Sequence, residues 1–288
     1  MAPVDPQRST LYTASELYDS VLAGGSYADS LDARAYAWSR FPYAEPDALA
    51  RVLHDHAIDE ALTAWIRGRR LVGVMGGHAA ERGSRRYVDA ALFAHGLGTA
   101  TVVATGGGPG AMEAANLGGR LAGHDVATLD EALAELAAVP SFRPDIDAWV
   151  RSTLAVDVPD PHDSLGIPTW HYGHEPPNVF ATAIAKYFRN AQREAILLHI
   201  CDGGIVFLPG AAGTIQEVFQ DACENYYADE SRVTPMILVG HEFWTQTLPV
   251  WPLLQTLARG RAMESYVHLV EGVDDAVALL ADGRDVAP

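Results

Sequence analysis

Lysine is nearly missing from this chain. The 288 residues hold one, Lys186, against nineteen arginines. A Walker A loop grips phosphate with a Gly-Lys-Ser/Thr end, and Lys186 follows an alanine, so a P-loop NTPase is excluded. A pyridoxal-phosphate enzyme would have to build its Schiff base on this single side chain. Cysteine is scarce as well. Cys201 and Cys223 fall in segments that read as helix ends or interiors, which makes no disulfide framework. No apolar run approaches the roughly 20 residues of a membrane span. The opening stretch "MAPVDPQRSTLYTASELYDS" lacks the apolar core of a signal peptide. A reduced, cytoplasmic protein is the expectation. Positive charge is also short, with 20 basic against 37 acidic residues and a net charge of −17. The acids are scattered, so no basic face offers itself to nucleic acid or an anionic membrane, while a local site for a small anion stays open.

What the chain does have is apolar residues, 49% of the total, enough for the core of one large domain. Residues 1–69 read as a helical N-terminal extension: "ASELYDSVLAG" and "PDALARVLHDHAIDEALTAWIRG" place apolar residues at helical spacing. From residue 70 short apolar runs alternate with amphipathic segments. Strands are expected at 70–77, 99–108, 165–173, 204–210, 235–240 and 265–272. This alternation predicts an α/β fold over 70–288, a Rossmann-like doubly wound parallel sheet. Residues 124–164 interrupt the rhythm with two helical patterns and a Pro/Asp-rich loop, and are read as a helical insertion that lids the site or extends an oligomer contact.

Ligands of open parallel sheets bind beyond the carboxyl ends of the strands. Three loops qualify: "GVMGGHAAERGS" (73–84), "TGGGPGAMEAAN" (105–116) and "LPGAAGTIQE" (208–217). The second lets backbone N–H groups approach a ligand and opens a helix whose N-terminus suits phosphate. It contains G-x-G-x-x-A, but the acid a dinucleotide fold needs some twenty residues on would be Asp125, away from any strand end, so no dinucleotide cofactor is expected. In the third loop, Thr214 and Glu217 have the spacing of a capping box, Thr214 at N-cap and Glu217 at N3. The following helix carries its apolar stripe on Ile215, Val218, Phe219, Ala222 and Tyr226, and Glu217 lies off it. Upstream, "FATAIAKYFRNAQREAILLHI" reads as one helix with Lys186, Arg189 or Asn190, and Arg193 along one side. The alternative readings are tight turns, a helix cap and a solvated face.

Together these elements resemble the "lonely guy" (LOG) family, Rossmann-like proteins long mislabelled as lysine decarboxylases, whose members hydrolyse nucleoside 5′-monophosphates to a free base and ribose 5-phosphate. The resemblance covers roughly residues 70–123 and 165–283. The family motif PGGxGTxxE is matched by Pro209, Gly210, Gly213, Thr214 and Glu217, with Ala211 in place of the second glycine. "GGGPGAM", Gly106–Met112, matches the family's other glycine loop. The family's catalytic arginine aligns with Arg193, with Arg189 one turn away as second candidate. The N-terminal extension and the insertion look more like the longer bacterial nucleotide nucleosidases than the short plant-like members.

The resemblance implies Glu217 and an arginine as catalytic residues. It places the phosphate on Gly107, Gly108, Gly110, Ala111, Gly210, Ala211, Gly213 and Thr214, and the base and ribose near Gly77, His78 and Met112. Glu217 at N3 would be held ionised by the helix dipole, a stabiliser of an oxocarbenium-like ribose or a base rather than a general acid. Trp170 or Tyr172 is expected to stack on the base, with plain packing as the alternative. His171, His174 and Glu175 do not match HExxH, so no metal is expected. The implied partner is a small nucleoside monophosphate, without a cofactor, in a homodimer or higher homo-oligomer. The competing class is a non-catalytic protein that binds or senses a nucleotide.

Overall fold

The segment Leu71–Met75 is buried at all five positions, as an interior strand covered by helices on both sides must be. The computed structural model describes residues 2–40, 45–171 and 175–282. Its strands are β1 (Leu71–Met75), β2 (Val102–Thr105), β3 (Ser164–Gly166), β4 (Ala183–Ile184), β5 (Ile205–Phe207), β6 (Met236–Val239) and β7 (Val267–Val270). They form one sheet in the order β4-β3-β2-β1-β5-β6-β7. All pairings are parallel, with Val72 opposite Val103 and Val74 opposite Val206.

Side chains alternate across the sheet. Val72, Val74, Val103, Val206 and Ile237 enter one core with helices Arg85–Gly96, Ala111–Arg120, Val126–Leu136 and Val273–Asp282. Leu71, Met75, Ala104, Phe207 and Leu238 enter the other with helices Asn190–His199 and Ala212–Tyr227. The doubly wound α/β fold is thus present, and each of the six expected strands has a counterpart, within narrower bounds.

Two sequence expectations fail beside β3. The strand expected to run to 173 stops at Gly166, because Pro168 has no N–H to offer a ladder. The segment 180–200 is not one helix. Its first part pairs with β3 as β4, and the helix starts only at Asn190. The apolar pattern of a short buried strand and of a helix flank are alike at this length, and pairing with the sheet edge decides between them. Lys186 therefore sits on no helical stripe.

The N-terminal segment packs on this edge. Tyr12 and Ile184 exchange both backbone hydrogen bonds, at 2.9 and 2.8 Å. Lys186 Nζ lies 2.6 Å from Asp32 Oδ1, and Asp32 also accepts bonds from Trp170 Nε1 (2.8 Å) and the Tyr27 hydroxyl (2.6 Å). The only lysine of the chain is thus a fully enclosed strut, not a ligand-facing cation. Among the described residues no helix is long and apolar enough to cross a membrane.

Candidate active site

From β1 the chain works outward to β2, β3 and β4, and from β5 outward the other way to β6 and β7, so the sheet's switch point lies between β1 and β5. A cavity of about 460 Å³ opens there, lined by the loops after β1, β2 and β5. That is a size suited to a small organic ligand.

The two glycine loops on the β1–β2 side are locked together. Gly110 has φ +77°, and a Cβ there would lie 2.5 Å from the carbonyl oxygens of both Gly77 and His78, so only glycine fits. The Ala111 N–H donates to the Gly77 carbonyl at 3.0 Å, and the Gly107 N–H donates to Thr105 Oγ1 at 2.9 Å. Behind them Asn116 Oδ1 accepts from Thr105 Oγ1 (2.7 Å) and Asn178 Nδ2 (2.9 Å), while Asn178 Nδ2 also donates to the Gly108 carbonyl (3.1 Å). This inward commitment corrects the phosphate assignment. Gly107 and Ala111 have their N–H groups in use, and Gly107, Gly110 and Ala111 do not border the cavity, whereas Gly106, Gly108 and Met112 do. Gly77 also misses it and, with Ala111, lines a cavity on the other side of the loop. His78 reaches it.

On the β5 side, helix Ala212–Tyr227 begins two residues before Thr214. Its N-cap is Ala211, which makes no side-chain cap. Thr214 is therefore the third helical residue, and Thr214 and Glu217 form no capping box. Instead Thr214 packs on the bend before the helix: a Cβ at Gly210 would collide with Thr214 Oγ1. Gly210 thus serves the bend and stays outside the cavity wall, whereas Ala211, Gly213 and Thr214 line it together with Ala212. Ala211 has φ −109°, so the position does not need glycine. First-turn N–H groups have no intrahelical acceptor, and here they have no capping side chain either. With the helix dipole behind them, the first-turn N–H groups of Ala212, Gly213 and Thr214 have the chemistry that suits an anion.

Glu217 follows in the second turn and faces Arg193, with Nη1 3.8 Å from Oε1. Arg193 is fixed by Nε on the Ile167 carbonyl (2.6 Å) and Nη2 on the Gly106 carbonyl (3.2 Å), tying the ends of β3 and β2 to the site. Glu194 lies alongside, held by Asn190 Nδ2 (2.7 Å) and Gln216 Nε2 (2.6 Å). Burial pushes the Glu217 carboxyl up to about 7, Glu194 adds to the rise, and Arg193 opposes it. The expected low pKa is overturned. Dipole stabilisation fades beyond the first turn, and Glu217 lies past it, where desolvation wins. Between the two arginine candidates the geometry selects Arg193: Arg189 is exposed, is absent from the cavity wall, and gives its backbone N–H to Asp55 Oδ2 at 3.0 Å.

Trp170 is not available for stacking. It is 2% exposed, its ring lies on Phe188 with centroids 4.5 Å apart, and packing is its role. Tyr172 and His174 lie outside the described residues. Among the described residues no three His, Cys, Asp or Glu side chains cluster to hold a metal ion. Sequence reasoning missed Asn116 and Asn178, the side chains that shape the glycine loop. Their one signal was an amide in each of two otherwise apolar stretches.

No family model matches the chain, and no curated protein matches it. Among solved structures it is similar to the molybdenum cofactor carrier protein of Chlamydomonas reinhardtii, at 16% identity and a TM-score of 0.46 over 74% of this chain and 97% of that one. It is also similar to the structural-genomics target TM1055, at 16% identity and a TM-score of 0.44 over 74% of this chain and 99% of that one.

Proposed function

We propose that the protein is a nucleoside 5′-monophosphate phosphoribohydrolase, cleaving the N-glycosidic bond to a free base and ribose 5-phosphate. The observation that carries this reading is the buried Glu217 carboxyl facing the immobilised Arg193, about one helical turn from an uncapped helix N-terminus, with burial raising its pKa. The sequence motif around Pro209–Glu217 supports it. The phosphate sits on the N–H groups of Ala212, Gly213 and Thr214, and Arg193 offsets its charge or holds a ribose hydroxyl.

Bond breaking leaves positive charge on the ribose ring, which the Glu217 carboxylate stabilises. Water attacks the anomeric carbon as the C–N bond breaks, Glu217 accepts the proton that water gives up, the departing base takes its proton from solvent, and Glu217 returns its own to solvent. A carboxyl with a pKa near the working pH can cycle between both states in one turnover. His78 and Met112 line the same cavity, which supports placing the base or ribose beside them. The substrate is a small anion in keeping with general nucleotide salvage, and the assembly is a homodimer or larger.

The test is incubation with a panel of nucleoside 5′-monophosphates, measuring free base and ribose 5-phosphate. Release of both in equal amounts is the expected result. Tight binding of one nucleotide with no turnover of any would replace hydrolysis by a sensing or carrier role.

A further inference from the structure

Segment 124–164 adds a second cavity, about 280 Å³, directly beside the first. The two share His78 and Glu175 in their walls. Its outer wall is Phe142, Arg143 and Trp149, all from that segment.

The joint between this wall and the glycine loops is Arg82. Its side chain grips both carboxylate oxygens of Glu113, at 3.1 and 2.5 Å, on the helix that opens at Gly110. It also donates to Ser152 Oγ (2.9 Å), Thr153 Oγ1 (2.6 Å) and the Val139 carbonyl (3.2 Å) of the insertion. The Arg82 backbone N–H adds a bond to the Pro140 carbonyl at 3.0 Å. Arg82 and Glu113 side chains are each 1% exposed. A buried ion pair of this kind is a poor source of stability, and a better-attested use is to specify one arrangement. Here it fixes the Pro140–Arg143 loop over the His78 side of the site.

We propose that this second cavity is the nucleobase subsite, and that it takes a base bearing an exocyclic amino group. The inference rests on the nucleotide reading of the first cavity. Trp149 is already covered, with the Arg82 guanidinium 4.7 Å from its ring centroid and Phe142 against its edge. Phe142 lines the cavity and is only half-buried, so its ring keeps surface on which a base can stack beside the exposed Arg143. Among the carboxylates, Glu113 is consumed by Arg82. Glu175 and Glu81 are exposed in the cavity wall, and a carboxylate accepts from an amino group but repels a base oxygen. Segment 124–164 is then the specificity element of the site.

The test is calorimetric titration of wild type, Phe142→Ala and Glu175→Gln with AMP, IMP and ribose 5-phosphate. Phe142→Ala is expected to weaken AMP roughly tenfold, the usual scale for one lost base–aromatic stack, and to leave ribose 5-phosphate unchanged. Glu175→Gln narrows the preference for AMP over IMP. Unchanged AMP affinity in Phe142→Ala, or an equal loss for ribose 5-phosphate, overturns the subsite. AMP binding without turnover would refute hydrolysis and leave the subsite standing. Failure of wild type to bind any of the three refutes the nucleotide reading, and the subsite with it.

Discussion

At the scale of single residues, burial disfavours the charged form of Glu217. Its carboxyl titrates near 7 in the folded chain, above the ordinary value of 4.5. The neutral form is the one the fold prefers, so this group's contribution is complete below about pH 4.5 and is lost as the pH rises through 7. Glu217→Gln stays neutral throughout. Thermal melting should therefore show the variant more stable than wild type at pH 8, by up to about 3 kcal/mol for a shift of this size, and the gap should close toward pH 4.5. A capping role would give the opposite sign, a loss of roughly 0.5–2 kcal/mol. Arginine choice is the second test at this scale. Arg193→Ala should cut kcat/KM by about 100-fold or more, the scale of losing a buried charge-assisted contact, with Arg189→Ala close to wild type in the same assay. The motif letters pointed to Glu217, and the resemblance to an upstream arginine, with Arg193 and Arg189 both open. The electrostatics of Glu217 were not legible, since its pKa depends on burial in the folded cavity first, then on Arg193 and on Glu194, which lies 23 positions away in sequence.

At the scale of elements, the outcome was set by where the chain pairs rather than by local pattern. β1, β5 and β6 were readable because runs such as "LVGVM" and "MILV" are apolar at every position, the mark of strands covered on both faces. β4 was not, because two residues carry no period. Its absence from the reading put Lys186 on a helix face, although the residue is buried against Asp32. A buried pair broken on one side leaves an uncompensated charge. Lys186→Met should destabilise the protein by about 3–5 kcal/mol in denaturant melts, and adding Asp32→Asn should recover part of the loss. If the single variant melts like wild type, the strut is not formed. The helix Ala212–Tyr227 teaches the same lesson at its start: Gly210 bends under Thr214, the helix begins early, and the apparent capping box disappears.

At the scale of the whole molecule, the chain carries 20 basic against 37 acidic residues, and one of its buried arginines, Arg193, stands in the cavity at the sheet's switch point. The site needs four separate stretches of chain. The loops after β1 and β2 supply a rigid wall, Arg193 bridges β2 and β3, and the β5 helix supplies N–H groups and Glu217. The N-terminal segment braces the far edge through Asp32, and the insertion closes the side nearest His78. Sequence spacing could single out the glycine loops beyond the strand ends as candidates, but not which of their residues would line the cavity and which would face inward. That division depends on Gly110 meeting Gly77 and His78 across the fold. The measurement closest to the central claim compares base release from AMP by wild type and Glu217→Gln between pH 5 and 9. Wild type should release adenine and ribose 5-phosphate with a rate that changes across a limb near pH 7, and the variant should bind AMP yet release at least 100-fold less. Release by the variant at the wild-type rate, with the limb unmoved, would contradict a catalytic Glu217.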